Sequence, residues 1–441
     1  MNDPNGLIQW RGKYHLFYQH NPEAVVFGKM VWGHAVSGDL VHWEDLPIAL
    51  APTPGSTDQS GCWSGCAVDD GGEVTLIYTG RDGERESVCL ATSRDDLLTW
   101  EKHPRNPVIH GPPFGLMTTG FRDPCVWREE NAWRMAIGSG FEGQGGAVLL
   151  YQSMNLFDWE YLGPLYAYPT TELSAMWECP NFFPLGEKYV LIISQDKRSR
   201  VTYFVGEYRE NRFFPESQGL VDFGSRYYAP QVMLDKKGRR LMFGWIKEGR
   251  TPEANLAAGW AGVQAIPREL SLVPDGGLVS VPIPEIAGLR GKSFHQEDVH
   301  IQVGSEILLP VKGNSLEIAA QFLIGGDTFG IKVCSASDGS EETVITYDGM
   351  RHVLILDLRR SSLDKWERIS VHEMPLVLCA GVLLRLEIFL DHSVVEVFAN
   401  GCYSMTGRIY PTRGDSLDVK LFCSSGTAHL KSIDIWQIET I

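Results

Sequence analysis

The sequence predicts an all-β protein in which a five-bladed β-propeller is followed by a C-terminal β-sandwich. Three segments each combine a polar turn with a Trp-Glu pair, at Trp43, Trp100 and Trp159, so the repeat steps are 57 and 59 residues. A period near 58 filled with strand-like alternation is typical of a four-stranded propeller blade. The repetitive region ends near residue 285, and 285 divided by 58 is about 4.9, which predicts five blades.

A second set of motifs runs in phase with the first and marks the start of each predicted blade. These motifs are Asn2-Asp3-Pro4, Trp63-Ser64-Gly65, Arg122-Asp123-Pro124, Glu178-Cys179-Pro180 and Tyr228-Ala229-Pro230. The first strand of a blade lines the central channel of a propeller. The common phase therefore predicts that Asp3, Asp123 and Glu178 converge at one end of one funnel.

The pattern changes around residues 281–288, where a Pro-rich segment ends the repeats. About ten short alternating runs follow, for example at 315–322, 385–390 and 393–398. Short strands at such spacing are typical of a β-sandwich. We therefore expect a catalytic propeller over residues 1–288 and a sandwich over residues 297–441.

Composition narrows the choice of partners and of cell compartment. The formal net charge is 39 − 55 = −16, which disfavours nucleic acid and anionic membranes as partners. The longest apolar run, residues 374–384, is too short to span a bilayer. The nine cysteines are scattered and odd in number, without a Cys-x-x-Cys pair, which favours free thiols, a reducing cytoplasmic location and no metal site.

Three carboxylates in one funnel favour the cleavage of glycosidic bonds. One carboxyl group protonates the leaving oxygen, a second attacks or activates water, and a third can bind substrate hydroxyls. Each motif alone has a simpler explanation, because Asp-Pro and Asn-Gly form turns and Arg122-Asp123 can be an ion pair. Trp63, Trp177 and Trp260 suit stacking on sugar rings, or else belong to the propeller core. No nucleophile elbow, P-loop or His-Glu-x-x-His motif is present.

Three motifs of the sequence resemble those of a known enzyme family. Met-Asn-Asp-Pro-Asn-Gly at residues 1–6, Phe-Arg-Asp-Pro at 121–124 and Glu-Cys-Pro at 178–180 resemble the three signature motifs of glycoside hydrolase family 32, the invertase family. Supporting matches include Tyr-Ala-Pro-Gln at 228–231 and, in the tail, residues 391–398. The resemblance extends over essentially the whole chain.

This resemblance implies a fold and a set of roles. The family combines a five-bladed propeller with a β-sandwich and cleaves fructosides with retention, without a metal or other cofactor. Asp3 then matches the nucleophile, Glu178 the general acid/base and Asp123 the stabiliser of the transition state. Phe27 matches a position at the rim of the pocket. The implied substrate-binding residues are Asn2, Gln19, Phe27, Trp63, Ser64, Arg122 and Trp260.

Several alternatives stay open from the sequence. A fructosyltransferase of the same fold, an inverting arabinan- or xylan-acting propeller and a catalytically inactive sugar-binding propeller are the other hypotheses. The substrate could be sucrose, sucrose 6-phosphate, inulin or levan. The compact length favours sucrose or its phosphate, although the sequence reveals no basic cluster for a phosphate. We also expect a possible homodimer, a missing front of the chain, and an Asp3 that is poorly held near a fraying end.

Overall fold

The protein is described here by a computed structural model that covers residues 1–170, 172, 174–325, 327–364 and 370–439. These residues form four four-stranded sheets and one five-stranded sheet, each built from consecutive strands, followed by two six-stranded sheets. Within the same residues no helix is both long enough and apolar enough to span a membrane. The predicted all-β class is confirmed.

Each of the five sheets is a meander of antiparallel strands in chain order. The first contains β1 (Pro4–Trp10), β2 (Lys13–His20), β3 (Val31–Ser37) and β4 (Trp43–Leu50), and the second contains β5 (Gly61–Asp70), β6 (Glu73–Asp82), β7 (Arg85–Ser93) and β8 (Glu101–Lys102). The third contains β9 (Thr118–Glu129), β10 (Ala132–Phe141), β11 (Gly146–Ser153) and β12 (Trp159–Ala167). The fourth contains β13 (Trp177–Leu185), β14 (Lys188–Gln195), β15 (Arg200–Arg209) and β16 (Arg212–Leu220).

The fifth sheet has a longer connection after its second strand. It contains β17 (Tyr227–Leu234), β18 (Arg240–Ile246), the short β19 (Val263–Gln264) beside β18, β20 (Arg268–Leu272) and β21 (Leu278–Pro282). The helix α1 (Pro252–Ala258) lies between β18 and β19.

The first strands of the five sheets close into a ring. Strand β1 contacts β5, β5 contacts β9, β9 contacts β13, β13 contacts β17, and β17 contacts β1 again. The apolar cores lie between neighbouring sheets, as where Phe17 and Trp32 of the first sheet cluster with Tyr78 of the second. This arrangement is the predicted five-bladed propeller, with the first strand of every blade innermost.

The two repeated motifs occupy opposite edges of the blades. The Trp-Glu pairs lie at or just before the outermost strands β4, β8 and β12. Leu40, Leu97 and Leu156 in the preceding turns are buried and share a positive φ of 72°, 68° and 66°. A Ser hydroxyl accepts a backbone N–H in each of these turns, for example from Leu40 to Ser37 at 2.8 Å. The sequence repeat therefore corresponds to one repeated turn geometry.

The in-phase motifs lie on or directly before the innermost strands, and the strand pairing shifts register at or just after each of them. The shifts fall between Asn5 and Ile8 in β1, Trp63 and Gly65 in β5, Glu178 and Asn181 in β13, and Tyr228 and Gln231 in β17, with a corresponding irregularity at Asp123 in β9. A bulge re-aims a side chain at the rim of a sheet. The bulges therefore explain how Pro-containing motifs fit the innermost strands and turn their carboxylates away from the ladder.

The C-terminal region is a two-sheet sandwich. One sheet has the order β22-β33-β24-β29-β30-β31 and the other the order β23-β32-β25-β26-β27-β28. Residues such as Ile318, Ile331 and Val397 fill the core between the sheets without exposure to solvent. Among the described residues the sandwich has twelve strands, where the sequence suggested about ten.

Two runs of consecutive strands stay within one sheet, β25 to β28 in the second sheet and β29 to β31 in the first. The bounds of the twelve strands are β22 (Arg290–Gln302), β23 (Glu306–Lys312), β24 (Ser315–Leu323), β25 (Thr328–Ser335), β26 (Glu342–Asp348), β27 (Val353–Arg360), β28 (Val371–Pro375), β29 (Leu383–Asp391), β30 (Val394–Ala399), β31 (Tyr403–Arg408), β32 (Asp418–Ser425) and β33 (Thr427–Ile438).

Backbone contacts divide the chain into two compact units. The first comprises Met1–Val221, Tyr227–Lys247 and Asn255–Ile283, and the second comprises Asp222–Arg226, Glu248–Ala254 and Pro284–Ile441. The second unit therefore includes two short segments from the connections before and after the first hairpin of blade five, in addition to the sandwich.

Candidate active site

Asp3, Asp123 and Glu178 line one cavity in the first unit. Asp3 directly precedes the innermost strand of blade one, and Asp123 and Glu178 lie on the innermost strands of blades three and four, where register shifts interrupt the ladders. The cavity has a volume of about 350 Å³. Asn2, Gln19, Phe27, Trp63 and Arg122, which the sequence also singled out, line the same cavity.

Neighbouring polar side chains hold the carboxylate of Asp3. Ser64 Oγ donates to its Oδ2 at 2.6 Å, Gln19 Nε2 lies 3.5 Å from the same oxygen, and Asn2 Nδ2 donates to Oδ1 at 3.2 Å. Burial raises the pKa of Asp3, and the charge of Glu178 raises it further, whereas the hydrogen bond from Ser64 lowers it. Ser64 is buried and acts on the carboxylate without lining the cavity.

Asp123 lies deeper in the cavity and receives backbone hydrogen bonding. The amide of Cys179 donates to its Oδ2 at 2.9 Å. Burial and the charges of Glu178 and Asp3 raise the pKa of Asp123 to about 7, although Arg122 acts in the opposite direction. The positive φ of 63° at Asp123 fits its place in the bulge.

The thiol of Cys179 lies between two of the carboxylates. Its Sγ is 3.7 Å from Oδ2 of Asp3 and 3.5 Å from Oδ2 of Asp123. Burial raises the pKa of Cys179 well above the ordinary thiol value. The group is therefore an uncharged thiol and can donate a weak hydrogen bond to these oxygens.

Glu178 is held on both of its oxygens. Arg122 donates to Oε1 from Nε at 3.0 Å and from Nη2 at 2.9 Å, and the Tyr228 hydroxyl donates to Oε2 at 2.5 Å. The Nη1 of Arg122 donates to Glu86 at 2.9 Å, and Arg81 donates to the same Glu86 oxygen at 2.8 Å. Because both oxygens of the carboxyl group have donors, its position in the cavity is well defined.

The first residues of the chain are hydrogen-bonded to the propeller. Asn2 N donates to Gln19 O at 3.0 Å, and Gln19 N donates to Asp3 O at 3.0 Å. Gln264 Nε2 donates to Asn2 O at 2.7 Å. The expectation that Asp3 is poorly held is therefore wrong, because backbone hydrogen bonding to β2 begins at residue 2.

The predicted aromatic residues separate into three environments. Phe27 and Trp63 line the cavity and meet edge to face with ring centroids 5.6 Å apart, with Phe27 63 % exposed. Trp177 is fully buried in the core between blades three and four, which supports its structural interpretation. Trp260 lies in the loop between α1 and β19, is 41 % exposed and is not among the residues that line the cavity.

Sequence reasoning did not select several residues of the cavity wall. These residues are Arg81, Glu86, Asp196, Tyr228, Trp245 and Lys247. The in-phase motif at residues 228–230 was a usable signal for Tyr228, since it places this residue at the same point of its blade as Glu178. Glu86 had no comparable signal, because it is one acidic residue in an otherwise ordinary strand.

One cluster outside this cavity has side chains of metal-binding type. The possible ligand atoms of Asp298, His300 and His429 in the sandwich lie within 4.8 Å of one another. His429 Nε2 is 2.7 Å from Asp298 Oδ1, and the Lys431 ammonium donates to the same oxygen at 3.2 Å. The ammonium group places a positive charge where a cation would bind.

The geometry defines the class of protein. Three blades of the propeller present three carboxylates to one cavity, and the cavity is large enough for a sugar ring. This is the arrangement expected of a glycosidase that uses carboxyl groups.

Comparison with known proteins gives the family. The model of the glycosyl hydrolases family 32 N-terminal domain matches residues 1–282, and that of the family 32 C terminal matches residues 285–437. Sucrose-6-phosphate hydrolase of Escherichia coli is 37% identical over 465 residues, which cover 99% of this chain and 92% of the relative. The chain belongs to glycoside hydrolase family 32, and it is a retaining hydrolase of fructosides that acts by double displacement.

Solved structures agree with this assignment. Fructan 1-exohydrolase IIa from Cichorium intybus has a TM-score of 0.92 at 26% identity and covers 100% of this chain and 95% of its own. The β-fructofuranosidase BmSUC1 of Bombyx mori has a TM-score of 0.82 at 30% identity, covering 100% of this chain and 91% of its own. The predicted family and its propeller-sandwich fold are therefore confirmed.

Proposed function

We propose that the protein releases terminal β-D-fructofuranose from sucrose or sucrose 6-phosphate, with Asp3 as nucleophile, Glu178 as general acid/base and Asp123 as stabiliser of the transition state. The observation that carries this proposal is the convergence of the three carboxylates on one cavity, where Ser64, Arg122 and the Cys179 amide each orient one of them. The E. coli relative named above and a second one, raffinose invertase, support a sucrose-type substrate.

The first chemical step breaks the bond between C2 of fructose and the glycosidic oxygen. Glu178 gives its proton to that oxygen while an oxygen of Asp3 forms a bond to C2, which yields a covalent fructosyl-enzyme. Asp3 is suited to this attack because the side chains of Ser64, Gln19 and Asn2 hold its carboxylate. Preorganised donors of this kind require no rearrangement at the moment of reaction.

The second step reverses the roles. Glu178, now ionised, removes a proton from water, and the hydroxide oxygen attacks C2 as the bond to Asp3 breaks. Asp123 would accept hydrogen bonds from fructose hydroxyl groups, which strengthen as the ring flattens. Its burial and the hydrogen bond from the Cys179 amide fit a binding role, since they hold the Asp123 carboxylate in place.

Other expectations from the sequence stay predictions. These are a cytoplasmic location, a homodimer, and the absence of nucleic-acid and membrane partners. All nine cysteines are free thiols, five of them buried, which supports a reducing compartment.

Product analysis tests the function. The purified protein is incubated with sucrose, sucrose 6-phosphate, inulin and levan, and the products are resolved by chromatography. Free fructose with equimolar glucose or glucose 6-phosphate is expected, and proton NMR in the first minutes should show the β-anomer. Longer fructosides as main products would favour the fructosyltransferase hypothesis, and no product from any substrate would favour a sugar-binding propeller.

A further inference from the structure

A second cavity adjoins the catalytic one. It has a volume of about 420 Å³, and Arg81, Glu86 and Arg122 line both cavities. Its remaining wall residues include Glu84, Arg85, His110, Thr118 and Thr119. Since Arg122 also donates to Glu178, the shared wall lies next to the residue proposed to protonate the leaving group.

The second cavity carries an excess of positive charge in a strongly acidic protein. Three arginines, Arg81, Arg85 and Arg122, face two glutamates, Glu84 and Glu86, which leaves one positive charge before His110 is counted. The whole chain has a net charge of −16. A local excess of cations in such a chain points to an anionic ligand.

Two of the basic groups are available to a ligand. Arg81 is bound to Glu84 and Glu86, and Arg122 to Glu86 and Glu178. In contrast, the exposed side chains of Arg85 and His110 have no hydrogen bond or ion pair within the described part of the chain. A guanidinium group can bind a phosphate through two parallel hydrogen bonds, and an imidazole can add a third.

We propose that this second cavity binds a phosphate monoester on the leaving-group sugar, with Arg85 as its main contact and His110 as a second one. The proposal rests on the proposed function and specifies its substrate as sucrose phosphorylated on the glucose moiety. We place the phosphate on the leaving-group sugar because Arg122, which lines both cavities, donates to Glu178, the proposed donor of a proton to the leaving group. Fructose would occupy the opposite part of the catalytic cavity, next to Asp3, Gln19 and Asn2. The basic cluster that the sequence did not reveal is assembled here from β7 and the loop after β8.

Kinetics on paired substrates test the proposal. The ratio of kcat/KM for sucrose 6-phosphate to that for sucrose is measured for the wild type, Arg85→Ala and Arg212→Ala. A hydrogen-bonded charge contact corresponds to roughly a tenfold effect or more. We expect the wild type to prefer the phosphorylated substrate at least about tenfold and Arg85→Ala to lose about tenfold of that preference.

Arg212→Ala is the matched control, because Arg212 is an exposed arginine of blade four that lines neither cavity. It should keep the wild-type ratio. Equal kcat/KM values for the two substrates in the wild type, or the same loss on both substrates in Arg85→Ala, would overturn the phosphate site.

Ligand binding separates this proposal from the proposed function. Isothermal titration with glucose 6-phosphate and with fructose 6-phosphate needs no turnover. Glucose 6-phosphate should bind about tenfold more weakly to Arg85→Ala than to the wild type. Tighter binding of fructose 6-phosphate would place the phosphate on the wrong sugar and reject the proposal. Hydrolysis of neither substrate, together with the expected glucose 6-phosphate titration, would reject the proposed function and keep the anion site.

Discussion

The hydroxyl of Tyr228 donates a hydrogen bond to Oε2 of Glu178 at 2.5 Å. Arg122 uses two donors on the other oxygen, Oε1. The two partners reach Glu178 from blades five and three, so three blades must be assembled before this carboxyl group has its final position. A carboxyl group held in this way loses little freedom when a substrate binds.

The first prediction concerns this contact. Tyr228→Phe removes the donor and keeps the ring, so kcat/KM on sucrose should fall about tenfold, the effect of losing one strong hydrogen bond to the acid/base carboxyl group. Tyr14→Phe is the control, since its hydroxyl donates to Asp235 away from the cavity. Steady-state kinetics of both variants check the prediction, and equal rates for Tyr228→Phe and the wild type would contradict it.

The second prediction concerns the pH dependence of Asp3. Because the hydrogen bond from Ser64 lowers the pKa of Asp3, Ser64→Ala should raise that pKa further. Asp3 must be ionised to attack, so the acid limb of the kcat/KM profile should move to higher pH. At a pH below neutrality the variant should therefore lose more activity than at pH 7. Ser153→Ala, which removes a buried hydroxyl from a turn in blade three, should leave the profile unchanged.

The third prediction separates nucleophile from acid. Glu178→Ala should keep measurable fructose release from an aryl fructoside with a good leaving group and should be nearly inactive on sucrose, because only the poor leaving group needs protonation. Asp3→Ala should be inactive on both substrates, and Asp123→Asn should slow both. One rate table of three variants against two substrates decides this. Activity of Asp3→Ala on the activated substrate, with none in Glu178→Ala, would exchange the two roles.

The fourth prediction concerns the stability of the sandwich. The fully buried carboxylate of Glu341 accepts hydrogen bonds from Leu363 N, from N and Oγ1 of Thr412, from Arg413 N and from Ser416 Oγ. These bonds lower the pKa of Glu341 from 4.5 to about 2, against the effect of burial. The folded-state pKa is lower than the unfolded one, so this stabilisation is complete above about pH 4.5 and is lost as the pH falls through about 2.

Glu341→Gln should therefore reduce the free energy of unfolding by about 3 kcal/mol at pH 7, through loss of the charge-assisted bonds. The difference from the wild type should shrink at pH 3, as followed by urea unfolding at both values. Glu373→Gln, which affects an exposed pair with Arg351, should change the midpoint little at either pH. A constant difference between Glu341→Gln and the wild type over this range would contradict the prediction.

Periodicity in the sequence explains why the fold was predictable. Each blade repeats a turn whose buried leucine has a positive φ, and this turn needs the same polar residues at the same spacing. The innermost motifs share a phase because each blade begins with the same bulged strand. Local rules therefore determined the number of blades and the strand on which each carboxylate lies.

The wall of the cavity was less predictable, because its members have no common phase. Glu86 comes from the third strand of blade two, yet it links Arg81 of its own blade to Arg122 of blade three. Cys179 was seen as part of a motif, but its position between Asp3 and Asp123 depends on how blades one, three and four close the ring.

The sequence by itself determined the blade repeat, the change to a sandwich and the family motifs that carry Asp3, Asp123 and Glu178, because these follow from spacing along the chain. Tertiary structure decided which side chains surround them. Ring closure brings Ser64 to Asp3 and Tyr228 to Glu178 across separations of 61 and 50 residues. It also places Arg85, which has no ion pair among the described residues, in one cavity wall with Arg81 and Arg122. Such contacts depend on the packing of whole blades, which no local pattern records.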